Sequence, residues 1–262
     1  MDEKEFILTS LLNCNRSDLY TKDIILNNNL KCRLDKILQA RRDGEPLQYI
    51  LGKTEFMSLD FKLTKDTFIP RPETELLVEK SIEIIKSELC QKKKIQILDL
   101  CSGSGCIAVS LAKYLPDARL VASDISKATL KIAKLNARLN NVDKKIKFKQ
   151  SDLFKNLTGR FNFIITNPPY ISTLDIKNLQ PELSYEPYIA LDGGKDGLDF
   201  YRKIIKESPK FLKENGILIM EMGFSQHENI KNILKKEAKF EILDIIKDYQ
   251  GIERIIITKK NG

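Results

Sequence analysis

The sequence predicts an α/β protein built on a mostly parallel sheet, and three observations carry that reading. From about residue 95 onward, short apolar β runs alternate with segments of helical period, the pattern of a parallel sheet covered by helices. The first of these strands opens into a glycine-bearing turn, Asp99-Leu100-Cys101-Ser102-Gly103-Ser104-Gly105. The last two strands are joined by residues 247–252, too short for a helical crossover, so they must be antiparallel neighbours.

Taken in order, residues 2 to about 43 read as short amphipathic helices, with Leu34, Ile37 and Leu38 on one face of a segment closed by Gly44 and Pro46. Between Gln48 and Thr67, the alternation in Thr54-Glu55-Phe56-Met57-Ser58-Leu59-Asp60-Phe61-Lys62-Leu63 predicts a short hairpin. The expected organisation is a helical unit over 1–47, a hairpin connector over 48–70 and a catalytic domain over 71–262. Strands are predicted at 95–100, 119–123, 146–150, 161–166 and 217–222, with two more around 242–246 and 254–258. Helices are predicted at 107–115, 126–140, 198–212 and 227–236. A sheet of seven strands with one reversed strand, Rossmann-like in its parallel part, resembles the fold of S-adenosylmethionine-dependent methyltransferases.

Composition excludes several classes. Of 262 residues 42% are hydrophobic and 31% charged, with 12 Gly and 9 Pro, which fits neither a disordered nor a collagen-like chain. The longest uncharged stretch, 161–174, has 14 residues and two prolines, whereas a spanning helix needs roughly 20 apolar residues. The start Met1-Asp2-Glu3-Lys4-Glu5 puts acids where a signal peptide needs a basic segment, so a cytoplasmic location and no membrane partner are expected. Five cysteines (Cys14, Cys32, Cys90, Cys101, Cys106) lack paired ligand spacing and have one histidine, His227, to help them, so no metal is expected. His227, beside Ser225, Gln226 and Glu228, reads as a solvated helix start rather than a catalytic base. The net charge of +8 and the lysine runs Lys92-Lys93-Lys94 and Lys144-Lys145-Ile146-Lys147 read as solvated faces, because no aromatic interleaves them.

Two turns carry the chemistry. In the turn after the first strand, glycine lets backbone approach a ligand and the helix start offers free N–H groups. With Ala108 it even completes G-x-G-x-x-A, a dinucleotide pattern. Asp99 weighs against a dinucleotide, since its carboxylate would repel a pyrophosphate but suit a cationic amino-acid group, as in S-adenosylmethionine. Asp124, at the end of the second strand, stands where a carboxylate accepts ribose hydroxyls. Asp152, after the third strand, could receive an adenine amino group with Leu153 covering the ring, or could be a turn or helix cap.

The fourth strand ends in Thr166-Asn167-Pro168-Pro169-Tyr170. Two prolines fix φ and remove two N–H donors, leaving a stiff loop rich in acceptors. The Asn167 side-chain oxygen and the Pro168 carbonyl could hold both hydrogens of a planar NH2 group while Tyr170 packs on its face. Amide or exocyclic-amine methylation needs that arrangement, because orienting a delocalised nitrogen toward the methyl carbon is the main catalytic task.

At this point the chain resembles the peptide chain release factor N5-glutamine methyltransferases, the HemK/PrmC family. The resemblance spans nearly the whole sequence. It rests on Pro46-Leu47-Gln48-Tyr49-Ile50-Leu51-Gly52, Phe68-Ile69-Pro70-Arg71-Pro72-Glu73-Thr74-Glu75, the turn after the first strand and Asn167-Pro168-Pro169-Tyr170-Ile171. It continues through Ala190-Leu191-Asp192-Gly193-Gly194-Lys195-Asp196-Gly197-Leu198, Glu221-Met222-Gly223 and Gly251-Ile252-Glu253-Arg254. The resemblance implies methyl transfer from S-adenosyl-L-methionine to the glutamine amide in the Gly-Gly-Gln tip of release factors. It implies that Asn167, Pro168, Pro169 and Tyr170 hold that glutamine. It matches Cys101, Ser102, Gly103, Ser104, Gly105, Asp124 and Leu153 to cofactor-contacting positions, with Asn167 touching both ligands, and the reading of the residues adds Asp99 and Asp152 to the cofactor set.

Two departures from the family pattern stand out: Cys101 replaces a commoner glycine, and Leu153 sits where an aromatic often covers adenine. A monomer with a release factor as its protein partner, and no obligate nucleic acid, is expected. The alternatives are a ribosomal-protein glutamine methyltransferase, an N6-adenine methyltransferase on nucleic acid, and a catalytically inert binding module. Arg71, Glu73 and Glu75 read equally as a salt-linked hinge or as part of a lid, and the 171–195 segment as a wall of the substrate groove.

Overall fold

The computed structural model describes residues 3–22, 26–89 and 95–262, so Met1, Asp2, Cys90 and the Lys92-Lys93-Lys94 run lie outside the described residues. The chain opens with helices α1 (Glu3–Leu12), α2 (Asp18–Thr21) and α3 (Asn28–Arg42). Ile7 and Leu11 of α1 close on Leu30, Leu34 and Ile37 of α3 in a small core of their own. Leu38 departs from the expected face. It lies one step round the helix from that stripe and is 36% exposed.

A short helix, α4 (Leu47–Leu51), occupies the start of the segment read as connector, and the hairpin β1 (Lys53–Phe56) and β2 (Leu59–Lys62) follows it. Next comes α5 (Pro72–Leu89), an 18-residue helix that the pattern reading left unassigned. Its signals are present all the same: proline at the first helical position, Glu73 and Glu75 in the first turn, and an apolar stripe through Leu77 and Ile85.

The sheet contains β3 (Ile95–Leu100), β4 (Ala118–Asp124), β5 (Ile146–Gln150), β6 (Phe161–Thr166), β7 (Leu212–Glu221), β8 (Phe240–Lys247) and β9 (Glu253–Lys260). Their order is β5-β4-β3-β6-β7-β9-β8. The first five run parallel, and β9, last in the chain, slips antiparallel between β7 and β8. β7 begins five residues earlier than the apolar run suggests, because Leu212 already pairs with Phe161, after which Lys213, Glu214 and Asn215, the last with φ +56°, break the register before Ile217 pairs with Phe163.

Period-two alternation is visible on both faces. Ile95, Ile97, Phe163, Ile165, Ile217 and Ile219 pack on one side with α5, α6 (Cys106–Tyr114) and α7 (Lys127–Leu139). Leu98, Leu100, Ile164, Leu218 and Met220 face the other side, toward helices α9 (Asp199–Phe211) and α10 (His227–Glu237); α8 (Tyr188–Leu191) is a single turn in the preceding loop. Strand order reverses between β3 and β6, so the turns that follow these two neighbours sit side by side at the carboxyl edge. Open α/β sheets bind ligands at that point.

Candidate active site

The cavity at this switch point is lined by the turn after β3, the end of β4, the start of the loop after β5, the turn after β6, the 187–191 segment and the connector. Of the residues expected to bind, Cys101, Ser102, Gly103, Ser104, Asp124, Asp152, Leu153, Asn167, Pro168, Pro169 and Tyr170 all line it. Asp99 and Gly105 lie behind that lining rather than in it.

Asp99 is fully buried behind the turn, and its Oδ2 accepts the Ala108 N–H of α6 at 3.0 Å. Burial, with the Asp124 charge adding to it, pushes its carboxyl well above the usual range against that one hydrogen bond. Gly105 caps α6 with φ +81°, and a Cβ there would meet the Ala133 Cβ of α7 at 2.9 Å. Its missing side chain serves helix packing; Gly103, with φ +53° and open space around it, is the glycine that faces the cavity.

Asp124 keeps the turn in place: its Oδ2 accepts Gly103 N–H and its Oδ1 accepts Ser126 N–H, both at 2.9 Å. Each oxygen retains a lone pair for a ligand hydroxyl. The departures Cys101 and Leu153 both hold left-handed backbone, at φ +62° and +46°, conformations that side chains other than glycine seldom adopt. Asp152 stands exposed at the rim, and its carboxylate caps no backbone N–H among the described residues.

The residues fit S-adenosylmethionine. Ser102 Oγ is buried at the cavity wall without a partner among the described residues, a polar atom waiting for a ligand. The charged residues that line the cavity are Asp66, Asp124, Asp152 and Lys203, an acidic balance that favours a cationic ligand over a phosphate.

Across the cavity, Asn167 donates from Nδ2 to Thr74 Oγ1 at 3.0 Å, and Thr74 donates in turn to Glu221 Oε2 at 2.7 Å. With its NH2 turned toward Thr74 and Glu221, the amide oxygen of Asn167 is left as an acceptor. No described N–H donates to the Pro168 carbonyl. Thr166 at the end of β6 is tied to the end of β3 by its hydroxyl, which donates to the Leu100 carbonyl at 2.7 Å.

Tyr170 is gripped from three sides. A Cβ on Gly193 would come within 2.7 Å of its Cα, one on Gly223 within 2.9 Å of its ring, and one on Gly197 would overlap its carbonyl. Gln226 Nε2 donates to that same carbonyl at 2.9 Å. The Leu-Asp-Gly-Gly and Glu-Met-Gly motifs therefore act by clasping the turn after β6. Gln226 reads from sequence only as part of a solvated helix start, because a lone glutamine carries no periodic signal.

The connector is part of the wall as well. Phe68, Pro70 and Thr74 line the cavity. Arg71 pairs with the buried carboxylate of Glu186, whose Oε2 also accepts Ile69 N–H at 3.0 Å. Glu75 accepts Met57 N–H and so holds the hairpin to α5. His227 begins α10 near Glu228 and Glu253 and does not line the cavity.

This sheet order, with its glycine turn, the Asp124 carboxylate and the Asn-Pro-Pro-Tyr turn around one cavity, is that of an S-adenosylmethionine-dependent methyltransferase. A family model described as "Methyltransferase small domain" matches residues 76–182, and one described as "PrmC N-terminal domain" matches residues 2–52. A protein named release factor glutamine methyltransferase from Thermodesulfovibrio yellowstonii is 37% identical over 99% of this chain and 92% of its own length. Another of that name from Clostridium acetobutylicum is 38% identical over 100% of this chain and 92% of its own. In fold, a methyltransferase from Pyrococcus furiosus superposes with a TM-score of 0.57 over 90% of this chain and all of that one, at 16% identity. The chain belongs to the release factor glutamine methyltransferase family.

Proposed function

We propose that this protein transfers a methyl group from S-adenosylmethionine to the side-chain amide nitrogen of the glutamine in the Gly-Gly-Gln motif of a peptide chain release factor. The observation that carries the reading is the Asn167 amide, which lines the cavity with its NH2 engaged by Thr74, leaving its oxygen as an acceptor beside the Pro168 carbonyl. Two acceptors at that spot match the two hydrogens of a primary amide.

Asp124 and the turn after β3 would hold the cofactor, with Asp152 and Leu153 at its adenine end. Asp99 and Gly105 would support that turn from behind. Bound there, the cofactor supplies an activated methyl group. The chain's own residues then orient the acceptor nitrogen, exclude water with Pro168, Pro169 and Leu191, and hold the amide plane against Tyr170. The proposal includes a cytoplasmic monomer with an N-terminal helical unit that meets the release factor. Among the described residues, no helix is long and apolar enough to cross a membrane.

Nucleic acid is the weaker substrate. The basic groove formed by Arg119, Lys144, Lys145, Lys147, Lys149 and Arg160 shares no lining residue with the cavity. Mass spectrometry of an unmethylated release factor, after incubation with this protein and S-adenosylmethionine, should find one added methyl on the Gly-Gly-Gln peptide. Asn167→Ala should lose that product while still binding cofactor. Methylation elsewhere, with that peptide untouched, would overturn the substrate.

A further inference from the structure

Glu221 ends β7 with its side chain buried, and the Glu221-Thr74-Asn167 chain runs from it to the cavity through the first turn of α5. A hydroxyl has one proton to give. When Glu221 is ionised it only accepts, so the Thr74 proton points to Glu221 and Thr74 shows Asn167 nothing but lone pairs. The Asn167 amide must then turn its NH2 toward Thr74 and its oxygen toward the cavity. When Glu221 is protonated it can donate to Thr74, freeing the Thr74 proton for the Asn167 oxygen. The amide is then no longer held in one sense and can reverse to present NH2 to the cavity, donors facing donors.

We propose that Thr74 and Glu221 are positioning residues for the methyl acceptor, setting which end of the Asn167 amide faces the substrate. The proposal rests on reading Asn167 as the group that holds the substrate amide. The groups around Glu221 are Glu73 and Thr74 from α5, Cys106 from α6, Asn167 and Tyr170 from the turn after β6, Tyr201 from α9 and Arg254 from β9. Tyr201 donates to the Glu221 backbone carbonyl at 2.8 Å and so fixes the strand end rather than the carboxylate. Arg254 is engaged by Asp248 at 2.9 Å. Burial outweighs the Thr74 hydrogen bond and lifts the Glu221 carboxyl from 4.5 to about 7, so its proton is exchanged near neutral pH. Glu73 adds to the rise, and Arg254 and Asn167 oppose it.

The test uses full-length protein, an unmethylated release factor and S-adenosylmethionine, with kcat, KM and cofactor affinity measured across pH about 5.5 to 8.5. Wild-type kcat should fall toward roughly tenfold per unit below pH about 7, and Glu221→Gln should lack that acid limb. Thr74→Val should lose roughly 10- to 100-fold in kcat with cofactor affinity within about twofold, and Thr74→Ser should recover most of that loss. Wild-type kcat in Thr74→Val, or an acid limb kept in Glu221→Gln, would overturn the proposal.

A second readout needs no substrate. The side-chain amide NMR signals of Asn167 should shift with a midpoint near pH 7 in the wild type and stay fixed in Glu221→Gln. A signal that does not respond to pH overturns the relay. A responding signal in a protein that leaves Gly-Gly-Gln unmethylated upholds the relay and overturns the substrate reading.

Discussion

Burying Glu221 lowers stability wherever the group is ionised, and the sign can be worked out from its shift. Its carboxyl rises from an ordinary 4.5 to about 7 in the folded protein, so between those values the native state binds the extra proton. Stability therefore falls as pH rises through that window and levels off above it. At 1.36 kcal/mol per pH unit, the whole loss is about 3 kcal/mol. Glu221→Gln removes the titration, so its thermal unfolding should match the wild type near pH 5 and exceed it at pH 8. A constant gap at both pH values would mean that the carboxyl does not titrate there. Cys101 and Leu153 add strain at the same site, since left-handed backbone costs a side chain-bearing residue roughly 1–2 kcal/mol. In sequence these residues registered as cofactor contacts and as departures from a family pattern, with nothing to mark their left-handed backbone. The depth of Asp99 behind its turn was not legible either, because strand alternation fixes the side of the sheet a residue faces and not how far it lies from the cavity.

At the scale of elements, the two glycines of the cofactor turn divide the work. Gly105→Ala forces a methyl group onto Ala133 and a left-handed conformation onto alanine, which should cost about 1–3 kcal/mol and lower the melting temperature by several degrees. Gly103 has the strained φ but open space, so Gly103→Ala should destabilise less and weaken cofactor binding more. Calorimetry and thermal melts on both variants check the split, and equal profiles would refute it. Strands β3 to β6 and helices α6, α7 and α10 were legible because their apolar periods are clean and their turns hold Gly, Pro or Asn. Helix α5 was not, because the Pro-x-Pro segment before it reads as connector and draws attention from the stripe behind. That omission hid Thr74, whose role depends on α5 lying against the end of β7.

For the molecule as a whole, the join between the N-terminal helices and the catalytic sheet decides what those helices do. Their core of Ile7, Leu11 and Leu47 is separate from the two cores of the sheet. The side-chain hydrogen bonds and ion pairs between them are partly exposed: Arg41 with Glu182 at 3.0 Å, the Tyr185 hydroxyl donating to the Asp43 carbonyl at 3.0 Å, and Glu45 with Lys65 at 2.9 Å. Exposed pairs of that kind contribute about 0–1 kcal/mol each. The sheet and its cavity therefore do not depend on the helices for stability, which points to a role in holding the protein substrate. The end of the third helix was legible from the Gly44 and Pro46 break, but the anchorage was not, because Glu182 and Tyr185 lie in a loop more than a hundred residues away. Removing residues 1–43, which spares the Tyr49, Leu63, Ile69 and Tyr185 cluster, should leave cofactor affinity within about twofold of wild type. KM for an intact release factor should rise at least about tenfold, the loss of one good contact's worth of binding energy, while KM for a short Gly-Gly-Gln peptide stays nearly constant. If both KM values rise together, the helices act by steadying the 171–195 loop over the cavity, and the docking role passes to another surface.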